Sequence, residues 1–377
     1  GPSFVVDTAC SSSLVALSQA CDALKAGRIE TAIVAGVNIL GAPYPFIGFS
    51  TAHMLSENGL CRAFDAAADG YVRSEGAVAL VLQADKTTSA APFGEIVGWG
   101  MNCDGRTNGL SLPSGDSQAE LLRRIYRTHE LSPDDLAFVE AHGTGTRVGD
   151  PAEAQAIGSV LGRSRRAKLP IGSVKSNVGH LEPAAGLVGL LKASLALRNQ
   201  LLPASLHFQT ANPDIRFDDL NLAVAAQPVD LSGGRANLAG VSSFGFGGAN
   251  AHVVLRAPAG RRVASRPASS APIVVSARSQ SSLRRLASAY AEHLQQGAAS
   301  LGAMANAAAY AREFHEFRAV VDVDTNDAAV GALSALCKGE EHPDVLTGQA
   351  HERESATLFV FSGNGSQWVG MGRREMD

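Results

Sequence analysis

The 377-residue sequence contains no Cys-x-x-Cys pair, and its five cysteines, at 10, 21, 61, 103 and 337, are odd in number. A disulfide framework is therefore not expected, and a reducing cytosol is the expected compartment. Neither sign of charge dominates: 32 basic residues stand against 36 acidic ones, a formal charge of −4. That balance argues against nucleic acid as the main partner. No collagen period accompanies the 39 glycines, so they serve tight turns and close backbone approaches. Gly-x-Gly-x-x-Gly, P-loop, His-Glu-x-x-His and Gly-x-Ser-x-Gly patterns are all missing, and the chemistries they carry lose their signature. The opening residues Gly1–Val6 hold no basic run, so no signal peptide is expected there. Thr31–Ser56 is uncharged but holds Pro43, Pro45, Asn38 and His53. It reads as buried strand plus loop, not as a membrane span.

What is present suits a folded chain of two to three domains, with 45% hydrophobic and 18% charged residues. Apolar runs predict strands over Ser3–Asp7, Thr31–Val37, Ala77–Gln83, Phe93–Gly100, Ala137–Ala141 and Leu169–Val174. Asn237–Val241 and Ala251–Leu255 read as a strand pair around a glycine turn. Helical spacing marks Ser11–Lys25, Ser117–His129 and Ala184–Ala196. Asp150-Pro151 opens a further helix, with Asp150 at the N-cap and Glu153 in the first turn. Strands alternating with helices imply a layered α/β domain.

Composition changes after Leu255. Arg256–Arg266 carries four arginines and reads as a basic linker. A second α/β pattern follows: strand Pro272–Ser276, helices Gln280–Leu294 and Leu301–Tyr310, strand Phe317–Val323 and helix Ala328–Cys337. Its own core is expected from Val274, Val275, Leu283, Leu286, Tyr290, Leu294, Val320 and Val321. A third pattern opens at Thr357–Phe361.

Cys10 stands between a strand and a helix, in Asp7-Thr-Ala-Cys-Ser-Ser-Ser13. A helix N-terminus favours thiolate, and such a junction lifts a nucleophile to the sheet edge. A small core cysteine fits the local pattern equally well. Cys21, Cys61, Cys103 and Cys337 lack that setting and read as structural. His142, in Glu140-Ala-His-Gly-Thr-Gly-Thr146, and His180, in Lys175-Ser-Asn-Val-Gly-His180, each follow a strand. Ligands of open α/β sheets bind beyond the carboxyl ends of strands, where these residues can converge with Cys10. Satisfied loop histidines and a Cys-His-His zinc site are the alternatives. Lys175, in an apolar, glycine-rich stretch, needs a partner or a function, and Glu182 lies close in sequence. Thr144 and Thr146 flank glycines and suit either a ligand's amides or closure of the turn. Ser242–Asn250 offers backbone N–H groups for half of an oxyanion hole, the N–H of Cys10 being the other half.

These four segments, ending with Ser243-Phe-Gly-Phe-Gly-Gly-Ala-Asn-Ala-His252, resemble the signatures of β-ketoacyl synthase domains of type I polyketide synthases. The resemblance spans Gly1 to about Arg256, and the motifs stand in the family's order. The next segment resembles the ketosynthase-to-acyltransferase linker domain, and Phe359–Gly372 the opening of an acyltransferase domain. The expected division is 1–256 ketosynthase, 257–355 basic linker and adaptor, and 356–377 acyltransferase start.

The resemblance implies a thiolase-like α-β-α-β-α fold, usually a homodimer. By motif, Cys10 takes the acyl chain as a thioester. His142 and His180 assist decarboxylation of a malonyl-type extender and hold the enolate oxygen, with Lys175 setting the electrostatics. Thr144 and Thr146 contact the phosphopantetheine arm of acyl carrier protein, the substrate carrier; no cofactor of the segment's own is implied. Phe246 and Cys10 supply the oxyanion N–H groups. Acyl carrier protein and the other domains of one megasynthase are the implied partners, with no membrane or nucleic acid. Only nine residues precede Cys10, so the family's first strands and much of its dimer interface are expected to be missing. An open sheet edge and an apolar patch near Cys10 should result. A type I fatty acid synthase shares the motifs. A decarboxylating loading domain has glutamine in place of the cysteine. A silent scaffold lacks the cysteine or a histidine.

Overall fold

The computed structural model of the chain describes residues 1–84, 92–107, 109, 112–233, 236–258, 272–297, 299–310 and 312–350. Two compact units divide it, Gly1–Arg261 and Arg262–Asp377. The first runs α1 (Ser12–Lys25), β1 (Thr31–Asn38), α2 (Tyr44–Thr51), β2 (Gly76–Gln83), β3 (Glu95–Cys103), α3 (Gly115–Thr128) and β4 (Leu136–Glu140). It continues with α4 (Gly149–Ile157), β5 (Leu169–Gly172), α5 (Lys175–Val178), α6 (Ala185–Asn199) and β6 (Leu201–Leu202). Then come α7 (Phe217–Leu220), β7 (Leu222–Val224), β8 (Val229–Asp230), β9 (Leu238–Phe244) and β10 (Ala249–Arg256).

Six strands lie side by side in the order β3-β10-β9-β4-β5-β7. β9, β4, β5 and β7 run parallel, while β10 is antiparallel to both β9 and β3. Alternation along β10 sorts its side chains: Ala251, Val253 and Leu255 enter one core, Val254 the other. The first core receives Leu14, Val15 and Leu17 from α1 and Leu187, Leu190 and Leu197 from α6. The second receives Leu121, Leu122 and Ile125 from α3 and Ile157 from α4. Each fully buried leucine contributes about 1.5–3 kcal/mol relative to exposure. Helices α1 and α6 approach closely because Gly186 has no side chain. A Cβ there would stand 2.5 Å from Leu14 Cγ.

β1 and β2 pair antiparallel on the far side of α1 and α6, with Val34 in the shared core. Their outer face leaves Ile33, Val37 and Val81 exposed. The layers among the described residues are therefore β-α-β-α. A helical layer over the outer face of β1–β2, the fifth of the expected arrangement, is not among them.

In the second unit, β11 (Ile273–Ala277), β12 (Phe317–Val321) and β13 (Val345–Gln349) form an antiparallel sheet in that order. α8 (Gln280–Gln295), α9 (Leu301–Tyr310) and α10 (Asn326–Lys338) supply its helices. Ser279 and Thr325 cap α8 and α10 by accepting from Ser282 N–H and Ala328 N–H. Val275, Leu283, Tyr290, Leu294 and Val321 are buried as expected, whereas Val274, Leu286 and Val320 are only half-buried. Strand alternation turns Val274 and Val320 away from their buried neighbours.

The structure also departs from the sequence reading ahead of Cys10, at Asp150 and at α2. Ser3–Asp7 forms no strand; only an isolated bridge joins Thr8 and Cys10. No strand flanks that segment among the described residues, and Phe4 and Val5 stay exposed. Asp150 is not the cap of α4, which begins at Gly149. Its carboxylate accepts the N–H groups of Phe64 (2.6 Å) and Gly145 (3.0 Å) instead. α2 stands where a loop is expected: it starts among prolines and buries none of its residues. Most of the Arg256–Arg266 linker and all of Thr357–Phe361 and Phe359–Gly372 lie outside the described residues. No described helix is long and apolar enough to cross a membrane.

Candidate active site

Three chain segments bring Cys10, His142 and His180 together. Cys10 sits on the turn into α1, where Ala9 adopts a left-handed φ of 55°, a strained conformation for a side-chain-bearing residue. His142 follows the C-terminal end of β4, and His180 follows α5 beyond β5. The thiol sulfur and one ring nitrogen of each histidine all lie within 4.8 Å of one another. The two imidazole centroids are 5.5 Å apart. All three residues line a cavity of about 790 Å³, with Thr144, Thr146, Tyr71 and Phe246.

The backbone around His142 is held by charged side chains. Glu153, on α4, accepts the N–H of His142 at 2.6 Å and of Gly143 at 2.8 Å. Lys175 donates its ammonium to the carbonyl of His142 at 2.5 Å. Lys175 is buried, and Glu182 is not its partner as the sequence suggested. Glu182 binds Arg73 through two bonds of 2.5 and 2.9 Å. That ion pair fixes the turn carrying His180, whose N–H donates to the carbonyl of Val72 at 2.7 Å.

Hydrogen bonding sets the state of His180. Its Nδ1 accepts the N–H of Glu182 at 3.0 Å. Burial, with Lys175 and Arg73 adding to it, holds its pKa well below the ordinary value. A neutral ring whose Nδ1 accepts carries its proton on Nε2. That Nε2 is buried with no partner among the described residues, as is Nδ1 of His142. Tyr71 packs edge-on against the His180 ring, 4.9 Å between centroids. His142 is likewise kept neutral by burial, then by Lys175 and His180. A proton on His180 Nε2, beside the Lys175 cation, does not fit zinc, which requires a lone pair there.

Burial pushes the Cys10 thiol up to about 11, against the pull of Lys175 and of N–H bonds from Phe246 and Cys10 itself. The helix N-terminus therefore does not yield a resting thiolate, contrary to the sequence expectation: desolvation outweighs it. The N–H groups of Phe246 and Cys10 thus both stand near the thiol, the two donors expected for an oxyanion hole beside it. Phe246 stands in the β9–β10 turn, its ring edge-on to Phe49 at 5.8 Å. Burial also raises Glu153 to about 7 and Asp150 to about 6.

Thr144 and Thr146 share a hydrogen bond of 3.0 Å between their hydroxyls at the cavity wall. Sequence reasoning missed Asp150, Glu153, Arg73 and Tyr71 as site residues. One signal was readable: Asp150 and Glu153 stand three apart on α4, on one helical face, directly after the His142 loop.

Two β-ketoacyl synthase family models match the chain, the N-terminal domain over residues 1–88 and the C-terminal domain over 93–209. A ketoacyl-synthetase C-terminal extension model matches 211–321. A phenolphthiocerol/phthiocerol polyketide synthase of Mycobacterium tuberculosis is 43% identical over 99% of the chain, which covers 20% of that protein. Erythronolide synthase EryA2 of Saccharopolyspora erythraea is 41% identical over 99% of the chain and 11% of its own length. The ketosynthase from module 6 of the bacillaene synthase of Bacillus subtilis 168 superposes with a TM-score of 0.85 at 35% identity. That match covers 93% of this chain and 63% of the other. The chain thus spans a fifth or less of these two curated relatives.

Proposed function

The chain belongs to the β-ketoacyl synthase family, and from that premise we propose that it condenses a Cys10-bound acyl chain with a malonyl-type extender on acyl carrier protein. The observation that carries this reading is the meeting of one thiol and two neutral imidazoles within 4.8 Å.

The thiol of Cys10 attacks the incoming acyl thioester, and the proton it loses leaves with the carrier thiol. Sulfur suits this exchange because thioesters interconvert readily. The extender's carboxylate then leaves as carbon dioxide, and its bonding electrons pass into an enolate. The Nε2–H of His180 and an N–H of His142 face the enolate oxygen, where preorganised donors act most strongly in a water-poor site. The enolate carbon attacks the Cys10 thioester, and the N–H groups of Cys10 and Phe246 hold the tetrahedral oxyanion. The attack forms the carbon–carbon bond; collapse re-forms the carbonyl, breaks the carbon–sulfur bond and expels the Cys10 thiolate, which takes up a proton. Lys175 positions His142 through its carbonyl and adds to the burial that keeps both imidazoles unprotonated. Thr144 and Thr146 bind the amides of the phosphopantetheine arm along the cavity wall.

The domain reading follows: ketosynthase over 1–256, linker and adaptor over 257–355, acyltransferase start over 356–377. The relatives' names support a polyketide synthase setting; in that setting acyl carrier protein and acyltransferase are the partners, the ketosynthase is a homodimer, and the location is cytoplasmic. The test supplies a malonyl thioester of the carrier arm to acyl-loaded protein. Release of carbon dioxide together with a β-ketoacyl product supports the reading. Decarboxylation without a product would assign a non-elongating domain.

A further inference from the structure

Ser243 occupies the end of β9, on the face that Ala239 and Val241 bury against α1 and α6. Alternation would place an apolar side chain there. A serine stands instead, wholly buried, and a buried hydroxyl persists only with a partner. Its Oγ donates to the backbone carbonyl of Cys10 at 2.7 Å. Beside it the next turn presses on the same segment: a Cβ at Gly245 would stand 2.3 Å from the carbonyl of Thr8 and 3.1 Å from Ser11 Oγ. Between those two contacts lies Ala9, the residue with left-handed φ. A strained backbone holds only where its surroundings over-determine it.

We infer that Ser243 is a positioning residue for Cys10, holding the nucleophile turn so that the N–H groups of Cys10 and Phe246 share one oxyanion position. The two donors come from segments far apart in sequence, and each lies within three residues of the Ser243–Cys10 bond. Anchoring the Cys10 carbonyl fixes the rotation of the residue that carries both the sulfur and one donor. This inference rests on the reading of Cys10 as acyl acceptor.

The test measures two rates at Cys10 in the full-length protein: acylation by an acyl N-acetylcysteamine thioester, and alkylation by iodoacetamide, which forms no oxyanion. Ser243→Ala should slow acylation about tenfold, the scale of one lost hydrogen bond in a transition state. Alkylation should change less than about twofold, and Ser243→Thr, which keeps the hydroxyl, should restore most of the acylation rate. Ser243→Cys, nearly isosteric with a weak donor, should behave as the alanine variant and carries the test if the latter misfolds. Equal loss of both rates, or unchanged acylation in folded Ser243→Ala or Ser243→Cys, overturns the inference. Failure of the wild-type protein to acylate Cys10 at all would instead overturn the proposed function.

Discussion

The ammonium of Lys175 rests on the backbone carbonyl of His142, 2.5 Å away. The charge is buried, and it acts on both imidazoles and on the thiol. It opposes protonation of His142 and His180 and favours ionisation of Cys10.

Lys175→Met should therefore slow decarboxylation more than acyl loading. A loss of about 10–100-fold in product formation is expected for a misplaced donor and altered charge. The pH profile carries the distinguishing sign. Without the lysine the imidazoles become easier to protonate, so the acid limb of the rate profile should move to higher pH. An unmoved limb would show that Lys175 acts only in packing.

His180→Ala should still accept an acyl group but lose condensation by about 100-fold or more, because one preorganised enolate donor is gone. Single-turnover acylation and carbon dioxide release, measured on the same sample, separate the two steps. Loss of acylation with the melting transition intact would contradict this division of roles.

Burial raises Glu153 from 4.5 to about 7, so the folded protein binds its proton more tightly than the unfolded chain does. For this group, stability is fully present below the unfolded value and falls as pH rises from about 4.5 to 7. His142 and His180, held neutral, act with the opposite sign: they cost stability as pH falls below about 6.5. Glu153→Gln should remove only the first contribution. Thermal melts of the variant, compared with wild type at a series of pH values, should lose part of the decline between about pH 4.5 and 7. A parallel pair of curves would show that Glu153 titrates as an ordinary carboxyl.

Gly186→Ala should test the seat of α1. The added Cβ would stand 2.5 Å from Leu14 Cγ, in a core of fully buried leucines. Overpacking of that kind costs about 1–3 kcal/mol. A lowered melting temperature is expected; an unchanged one would mean that α1 and α6 separate freely.

Cys10, His142 and His180 were legible as candidates because Cys10 opens a helix and each histidine follows an apolar strand, His142 directly and His180 after a short helix, within motifs of distinctive residue types. What the sequence hid was long-range. Asp150 follows the local rule for a helix cap, but its partner Phe64 is 86 residues away, and burial decides its role. Lys175 and Glu182 look paired by proximity, yet Arg73 takes the carboxylate from 109 residues away. The thiol's acidity is hidden for the same reason: a helix N-terminus is visible in sequence, whereas the desolvation that outweighs it exists only in the packed site. α2 escaped because it buries no residue, so its apolar pattern has no face to follow.

The most direct measurement is intact and peptide mass analysis after incubation with an acyl thioester, then with a malonyl thioester of the carrier arm. One acyl group should appear on the peptide holding Cys10, and Cys10→Ala should abolish it. That acyl group should leave as a β-ketoacyl product when carbon dioxide is released. Because Cys103 is exposed and within reach of the reagent, the position of the label decides. An acyl group found on Cys103, or one on Cys10 that the extender never removes, would contradict condensation at this site.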